Sequence, residues 1–188
     1  MKRTICLALT AIMTALAITS CAKTDSTAPE GFKEISDDEI GYDLFIPEDW
    51  NEDISTGITA AYYSSEDPAN ISMMAFEMTS DIQSMEDYWE AYLPSLSAMF
   101  PDLKFENVPE DDQTEGVAVG EPEQLTLDGV PALAYNYTGT MNGVTYKFYQ
   151  TISVKNATMY IFTYTAEIAN YDDHIKDVVD ILGNLKFH

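Results

Sequence analysis

The sequence predicts an α+β domain, a mainly antiparallel β-sheet flanked by helices on both faces. Three observations carry this. Strand-like runs rich in β-branched and aromatic residues dominate the chain and are joined by turn signals. Two other segments repeat apolar residues at spacings of three and four, the helical period. The long strands carry apolar residues on both sides, whereas a sheet with one face in water would alternate cleanly.

The strands are taken in order. Segments 32–36 and 41–46 are short, the second closed by Pro47. Segments 58–63 and 71–78 follow, separated by the turn-forming Glu66-Asp67-Pro68. Segment 103–107 is a weaker strand. Segment 124–127 turns at Asp128-Gly129 into 132–139, and 144–154 and 158–166 complete the set. Asn142-Gly143 is the strongest short hairpin signal, since both residues accept positive φ. Lys155-Asn156-Ala157 marks the next reversal. Tyr146, Phe148, Ile152 and Val154 point one way and Tyr149 the other; in the next strand Tyr160, Phe162 and Tyr164 oppose Met159 and Ile161.

The first helix places Met85, Tyr88, Trp89, Tyr92, Leu93, Leu96, Met99 and Phe100 on one broad face. Ser84 is its N-cap and Asp87 stands at the third helical position. Pro94 removes a hydrogen bond inside it, so a bend is expected there. The second helix covers 171–182, with Asn170 as cap and Asp172 and Asp173 in the first turn, where the helix dipole favours anions. Ile175, Val178, Val179 and Leu182 form its expected buried stripe and Gly183 its C-cap. Segment 185–187 returns as a last short strand.

The 188 residues are 46% apolar and 22% charged, the balance of one globular domain and not of a disordered tail. Against 32 Asp and Glu stand 9 Lys and Arg, a net charge of -23. Nucleic acid is excluded as a partner, because phosphate binding needs a basic patch. Electrostatic docking on an anionic bilayer is disfavoured for the same reason.

Residues 1–20 read as an export signal and are set aside from the fold. Lys2 and Arg3 precede an uncharged stretch from Thr4 to Thr19, shorter than the roughly 20 residues of a membrane span. The segment closes Ile18-Thr19-Ser20-Cys21, which resembles the bacterial lipobox. That resemblance implies cleavage before Cys21 and fatty acyl chains, diacylglycerol and palmitate-like, on its sulfur and the new terminus. Two or three such chains give stable attachment where one holds only marginally. Cleavage also removes Lys2 and Arg3, leaving 7 basic and 32 acidic side chains, a net of -25. Residues 21–30 then form the lipidated Cys and a flexible tether, and 31–188 the domain.

The element order is similar to that of PsbP-like domains, found in photosystem accessory proteins and bacterial lipoproteins. The residues that carry the resemblance are Gly41-Tyr42-Asp43-Leu44-Phe45-Ile46-Pro47 with Trp50, the strand at 71–78 and the helix near Tyr88. Tyr135-Asn136-Tyr137, the strands at 146–151 and 160–164, and Leu185-Lys186-Phe187 after the closing helix complete it. The resemblance implies an antiparallel sheet between helices (a PsbP-like α/β/α sandwich) and a binding or assembly role. It brings no partner or metal site, because no binding motif matches residue by residue.

Catalytic chemistry finds little to work with. A hydrolytic triad needs a nucleophile, a base and an orienting acid, and the chain has two His, of which His188 is the last residue. His174, beside Asp173, reads as a solvated surface residue outside the helical stripe. No Gly-x-Ser-x-Gly, His-Glu-x-x-His or phosphate-loop pattern occurs. No catalytic, cofactor-binding or metal-ligating residue is therefore assigned, no cofactor is expected, and the chain reads as a non-enzyme. Paired carboxylates are too abundant to be informative. Asp49-Trp50-Asn51-Glu52-Asp53 and the acidic stretch Glu110 to Gly116 offer oxygen ligands for calcium, but each lacks the glycine of an EF-hand and reads as a solvated loop. Trp50 reads as a core or rim plug, and Tyr135, Tyr137, Tyr146, Tyr160 and Tyr164 as filling the sheet faces. Asn70, Asn136 and Asn156 head glycosylation-like sequons and are taken as strand and turn residues.

The expected function is a lipid-anchored, extracytoplasmic protein at the cell membrane. Cys21 meets the bilayer, and the domain acts as a non-enzymatic binding or assembly module for an envelope protein or small ligand. The alternative is a small-ligand or divalent-cation receptor with an acidic, Tyr-lined pocket.

Overall fold

The structure, a computed structural model, describes residues 28–36, 41–109 and 117–188. The segment expected to be a signal, Cys21, most of the expected tether and the acidic stretch at 110–116 lie outside the described residues. The chain runs β1 (Phe32–Glu34), β2 (Tyr42–Asp43), β3 (Phe45–Pro47), β4 (Asn51–Glu52), β5 (Thr59–Tyr62), β6 (Asn70–Glu77) and α1 (Met85–Met99). It continues β7 (Lys104–Phe105), β8 (Glu123–Leu127), β9 (Val130–Met141), β10 (Val144–Lys155), β11 (Thr158–Glu167), α2 (Tyr171–Asn184) and β12 (Lys186–Phe187).

Tight turns set the sheet. Asn142 and Gly143 hold φ of +53° and +83°, and Asp128 and Gly129 hold +46° and +76°. Paired left-handed residues make the two-residue turn whose twist matches the strands it joins. β8 to β11 are therefore consecutive hairpins, β11 pairs β6, and the strand order is β4-β5-β6-β11-β10-β9-β7 with β8 also on β9. Every one of these pairings is antiparallel. The strand expected over 41–46 is divided in two, because Leu44 leaves the ladder. Its N–H donates to Ser36 Oγ at 2.7 Å and its C=O accepts the Ile35 N–H at 2.9 Å. β2 then pairs the C-terminal β12, and β3 pairs β1.

Both faces of the sheet are covered, as the two-sided apolar pattern requires. On one face Tyr160, Phe162 and Tyr164 of β11 pack with Leu44, Trp50, and Tyr171, Val178 and Ile181 of α2. On the other, Met159, Ile161, Ile152, Tyr135 and Tyr137 lie beneath Trp89, Leu96 and Phe100 of α1. Each large apolar side chain so buried contributes roughly 1.5–3 kcal/mol.

Ser84 caps α1, its Oγ accepting the Asp87 N–H at 3.0 Å, while the Asp87 carboxylate accepts the Gln83 N–H at 2.9 Å. The helix continues through Pro94, whose side is exposed, to Met99. Two expectations for α2 are corrected. Asn170 makes no side-chain cap bond, because its side chain bonds Asp67 instead. The helix also runs past Gly183 and closes where the Leu185 N–H meets the Ile181 C=O. Leu185 is fully buried, and seating it favours one more residue of helix over a glycine stop.

Candidate functional site

On the α2 face the helix turns Tyr171, His174, Val178, Ile181 and Leu182 inward. His174 is 6% exposed and Val179 61%, so the buried stripe is rotated from the one expected, and the reading of His174 as a solvated residue is overturned. The cause lies at the start of the helix. The Tyr164 hydroxyl donates to the Tyr171 C=O at 2.8 Å, and the Tyr171 hydroxyl donates to Asn136 Oδ1 at 3.3 Å. Anchored there, α2 brings the residue three positions on, His174, onto the same face.

His174 Nε2 lies 3.0 Å from Asp67 Oδ2, and its Nδ1 lies 3.8 Å from Asp177 Oδ2. Trp50 Nε1 donates to the same Asp177 oxygen at 3.1 Å. The imidazole packs against Tyr63, with ring centres 4.2 Å apart, and edge-on to Trp50 at 5.7 Å. Burial alone raises the Asp67 carboxyl. Hydrogen bonds from His174, Asn170 and the Ala69 N–H outweigh it and hold Asp67 below its ordinary value. The two acids engage opposite ring nitrogens, so their oxygens do not converge on a cation. Among the described residues no hydroxyl or thiol bonds the imidazole. Chemically this is a clasp joining α2, the β5–β6 loop and Trp50.

Two further clasps close the chain end. His188 Nε2 lies 2.8 Å from Asp43 Oδ1. Asp128 accepts Lys186 Nζ and the Phe187 N–H, each at 3.0 Å. Burial raises the Asp128 carboxyl, but these two donors outweigh it and lower it overall.

The acidic loop at 49–53 is not assembled as a ligand set. Asn51 and Glu52 are consecutive strand residues, which project to opposite sides. Asn51 Nδ2 donates to the Tyr63 C=O at 2.9 Å, and Asp53 Oδ1 accepts the Ser55 N–H at 2.9 Å. Among the described residues no group of three or more His, Cys, Asp or Glu is placed to hold a metal ion. Trp50 is a fully buried plug, and Tyr135, Tyr137, Tyr160 and Tyr164 are buried on the sheet faces. Asn136 serves the Tyr171 bond and Asn156 a turn with φ of +52°.

The α1 face is built from rings. Trp89 lies flat on Tyr135, with centres 3.8 Å apart and planes 5° apart, and meets Phe105 edge-on. Tyr88 stacks on Tyr92, and Tyr137 on Phe148. Gly139 makes room for Phe100, whose ring would stand 2.5 Å from an added Cβ. Among the described residues Trp89 Nε1 and Gln150 Oε1 are buried without a hydrogen-bond partner, as are Thr151 Oγ1 and Ser153 Oγ on the α2 side. Burial, with Tyr92 and Tyr88 nearby, pushes the Tyr137 hydroxyl well above its ordinary value.

Beside these rings, where the first turn of α1 meets the β8–β9 hairpin, lies a depression of about 590 Å³. Met85, Pro131 and Leu133 give it an apolar wall and floor, and Gln124 and Thr126 its polar margin. No charged side chain lines it. Such a lining suits an uncharged group. Sequence reasoning missed it, because its parts come from three elements whose proximity only the topology fixes.

The fold defines a class: an antiparallel sheet between helices, the PsbP-like α+β architecture. In particular, the chain is similar to CyanoP, the cyanobacterial PsbP of Synechocystis sp. PCC 6803, with a TM-score of 0.59 and 11% identity over 89% of this chain and 99% of that one. It is similar to LpqN of Mycobacterium tuberculosis, with a TM-score of 0.57 and 15% identity over 82% of this chain and 89% of that one. A protein from Bacteroides thetaiotaomicron VPI-5482 gives a TM-score of 0.53 and 14% identity, over 85% of this chain and 49% of the other. The sequence itself matches no protein-family model and no curated protein. At these identities the likeness establishes the fold.

Proposed function

We propose that the chain is a membrane-anchored lipoprotein whose PsbP-like domain works outside the cytoplasm as a non-enzymatic binding or assembly module. One observation carries the reading: Ile18-Thr19-Ser20-Cys21 ends an uncharged segment that follows Lys2 and Arg3, the order an acylated cysteine requires. LpqN, which has the same fold, is described as involved in cell envelope biogenesis, and that setting is consistent with an exported domain. A net charge of -25 after cleavage repels anionic headgroups, so acyl chains on Cys21 are the attachment the chemistry favours. The depression by α1 supports binding over catalysis, since its lining carries no titratable acid or base.

Replacing Cys21 with Ala tests this. The wild-type protein incorporates labelled palmitate and partitions into the detergent phase, and Cys21→Ala does neither. A variant that partitions as the wild type does overturns the anchor.

A further inference from the structure

We infer that the free edge of β8, with the depression beside it, binds an extended basic segment of a partner protein by adding it to the sheet as one more strand. The inference rests on the reading of the domain as a binding module and names the surface and the chemistry that do the binding.

Hydrogen-bond alternation fixes which groups are free. In the β8–β9 hairpin Leu127 faces Val130, Thr126 faces Pro131, Leu125 faces Ala132 and Gln124 faces Leu133. The two-residue turn at Asp128-Gly129 makes Leu127 and Val130 a mutually bonded pair, and bonded and non-bonded pairs alternate along an antiparallel ladder. Leu125 and Glu123 therefore direct N–H and C=O to β9, while Thr126 and Gln124 direct theirs outward. Pro131 fits this pattern, because at a non-bonded position its missing N–H costs the hairpin nothing. Among the described residues β8 pairs with β9 alone. Among the described residues no other backbone bond reaches Gln124 or Thr126, and both are exposed. Unpaired backbone groups in a row are a template for a further strand.

Among the described residues the strands that end the strand order offer less of this. β4 and β7 are two residues long, against five for β8. Natural edges are commonly blocked by lysine, proline or a bulge, and Glu-Gln-Leu-Thr-Leu of β8 contains no lysine or proline. Backbone pairing supplies affinity in such complexes, and pockets for alternate side chains supply selection. Gln124 and Thr126 lie opposite Leu133 and Pro131, so their side chains share the α1 face of the sheet. An added strand would lie roughly 4.8 Å from β8 and send every second side chain to that same face. One of them, if apolar, enters the depression against Met85, Pro131 and Leu133.

Charge selects the rest of the segment. Glu86 and Asp87 in the first turn of α1, and Glu121 and Glu123 at the start of β8, are exposed. Neither α1, β8 nor β9 contains a lysine or arginine. Burial lifts the Tyr135 hydroxyl to about 12 and Glu86 adds to the effect, so the field of Glu86 reaches the ring behind the depression. A segment alternating basic and apolar residues meets both requirements.

The test uses the full-length acylated protein in detergent micelles and a short synthetic peptide of alternating lysine and valine. Binding is expected to slow amide exchange at Gln124 and Thr126 by about tenfold or more, as new backbone bonds do, and to leave α2 unaffected. N-methylating every second peptide residue abolishes this in one register and spares it in the other. Thr126→Pro deletes one outward N–H and weakens binding by up to about tenfold. Met85→Lys, which leaves the backbone edge intact, weakens it by repulsion. A lysine-valine peptide that fails to bind at millimolar concentration overturns the proposal. So does one that binds regardless of N-methylation with exchange at Gln124 and Thr126 unchanged, since that is charge adhesion to an acidic protein. A photocrosslinker placed in turn at Gln124 and at Val179, on the outer side of α2, separates the two readings in native membranes. Capture through Val179 but not Gln124 removes the edge assignment and leaves the binding module; capture at neither position removes both.

Discussion

The α2 face of the sheet is fastened by directional polar clasps, whereas the α1 face is held by stacked rings. The first and last described strands lie on the first: β1 and β3 pair there, β12 pairs β2, and His174–Asp67, His188–Asp43 and Asp128 with Lys186 and the Phe187 N–H tie the elements together. The second has Trp89 on Tyr135, Tyr88 on Tyr92 and Tyr137 on Phe148. Short terminal strands bury too little to hold themselves in register, so specific bonds fix them. A helix crossing long strands needs only area and shape. The side that relies more on stacked rings is also the side with an open margin, at β8. Trp50 belongs to one face and Trp89 to the other, and they are the only two tryptophans of the chain. Each face therefore carries its own fluorescent reporter.

The largest effects should come from removing those plugs. Trp50→Ala and Trp89→Ala are each expected to cost about 3–5 kcal/mol in urea denaturation, the range for emptying a large aromatic site. Their phenylalanine replacements separate the faces. Trp50→Phe removes the hydrogen-bond donor of an Asp177 oxygen that also faces His174, whereas Trp89→Phe deletes a donor that has no partner among the described residues. Trp50→Phe should be the more damaging of the two, and equal losses would break the contrast between clasps and rings.

Next comes overpacking on the ring side alone. An alanine at position 139 would place its Cβ 2.5 Å from the Phe100 ring, and forcing a methyl into a packed core costs about 1–3 kcal/mol. In a Trp50→Phe background, Gly139→Ala should shift the emission of Trp89. In the reciprocal background the emission of Trp50 should stay unchanged.

Acid should act more strongly on the other side, because the lowered carboxyl beside α1, that of Asp102 accepting the Thr140 N–H, is exposed. Asp67 and Asp128 both titrate below their ordinary values when folded, because hydrogen bonds to the charged form outweigh burial. Such groups contribute stability that is fully present above the unfolded carboxylate value of about 3.9 and is lost as pH falls through the lower folded values. Trp50 emission is expected to change before that of Trp89 as pH drops below about 4. Asp67→Asn should flatten that dependence. Simultaneous change at both reporters would show that the clasps do not govern the α2 face separately.

These contrasts also separate what the sequence discloses from what it hides. Hairpins at Asn142-Gly143 and Asp128-Gly129 are legible because positive φ is a local demand that few residues meet. The two-layer cover was legible because parity along β10 and β11 is a local pattern. His174 was not, since the rotation of α2 depends on Tyr164 reaching the Tyr171 carbonyl, a contact no helical period contains. Gly183 misled for a related reason: burial of Leu185 at the next turn outweighs a local stop signal. The depression and the β8 edge exist only once β9 has chosen its neighbours. The resemblance of Ile18-Thr19-Ser20-Cys21 to a lipobox is wholly a sequence signal, and Cys21 lies outside the described residues.

The smallest expected effect is a gain, and it falls on the strands the two faces share. The β10–β11 hairpin turns at Asn156 and Ala157 with φ of +52° and +62°, the same left-handed pair that Asn142 and Gly143 form. Here the second residue carries a Cβ, which costs roughly 1 kcal/mol in that conformation and which glycine lacks. Ala157 is exposed and meets the fold through its C=O, which accepts the Met78 N–H at 2.8 Å. Ala157→Gly keeps that bond and should stabilise the domain by about 1 kcal/mol or less, the added freedom of the unfolded glycine offsetting part of the relief. Residues of β10 and β11 alternate between the two cores, so the gain should appear at both tryptophans at one shifted urea midpoint. A shift at Trp89 alone would mean that the faces unfold separately, and the difference between clasps and rings would then be one of cooperativity as well as of bonding.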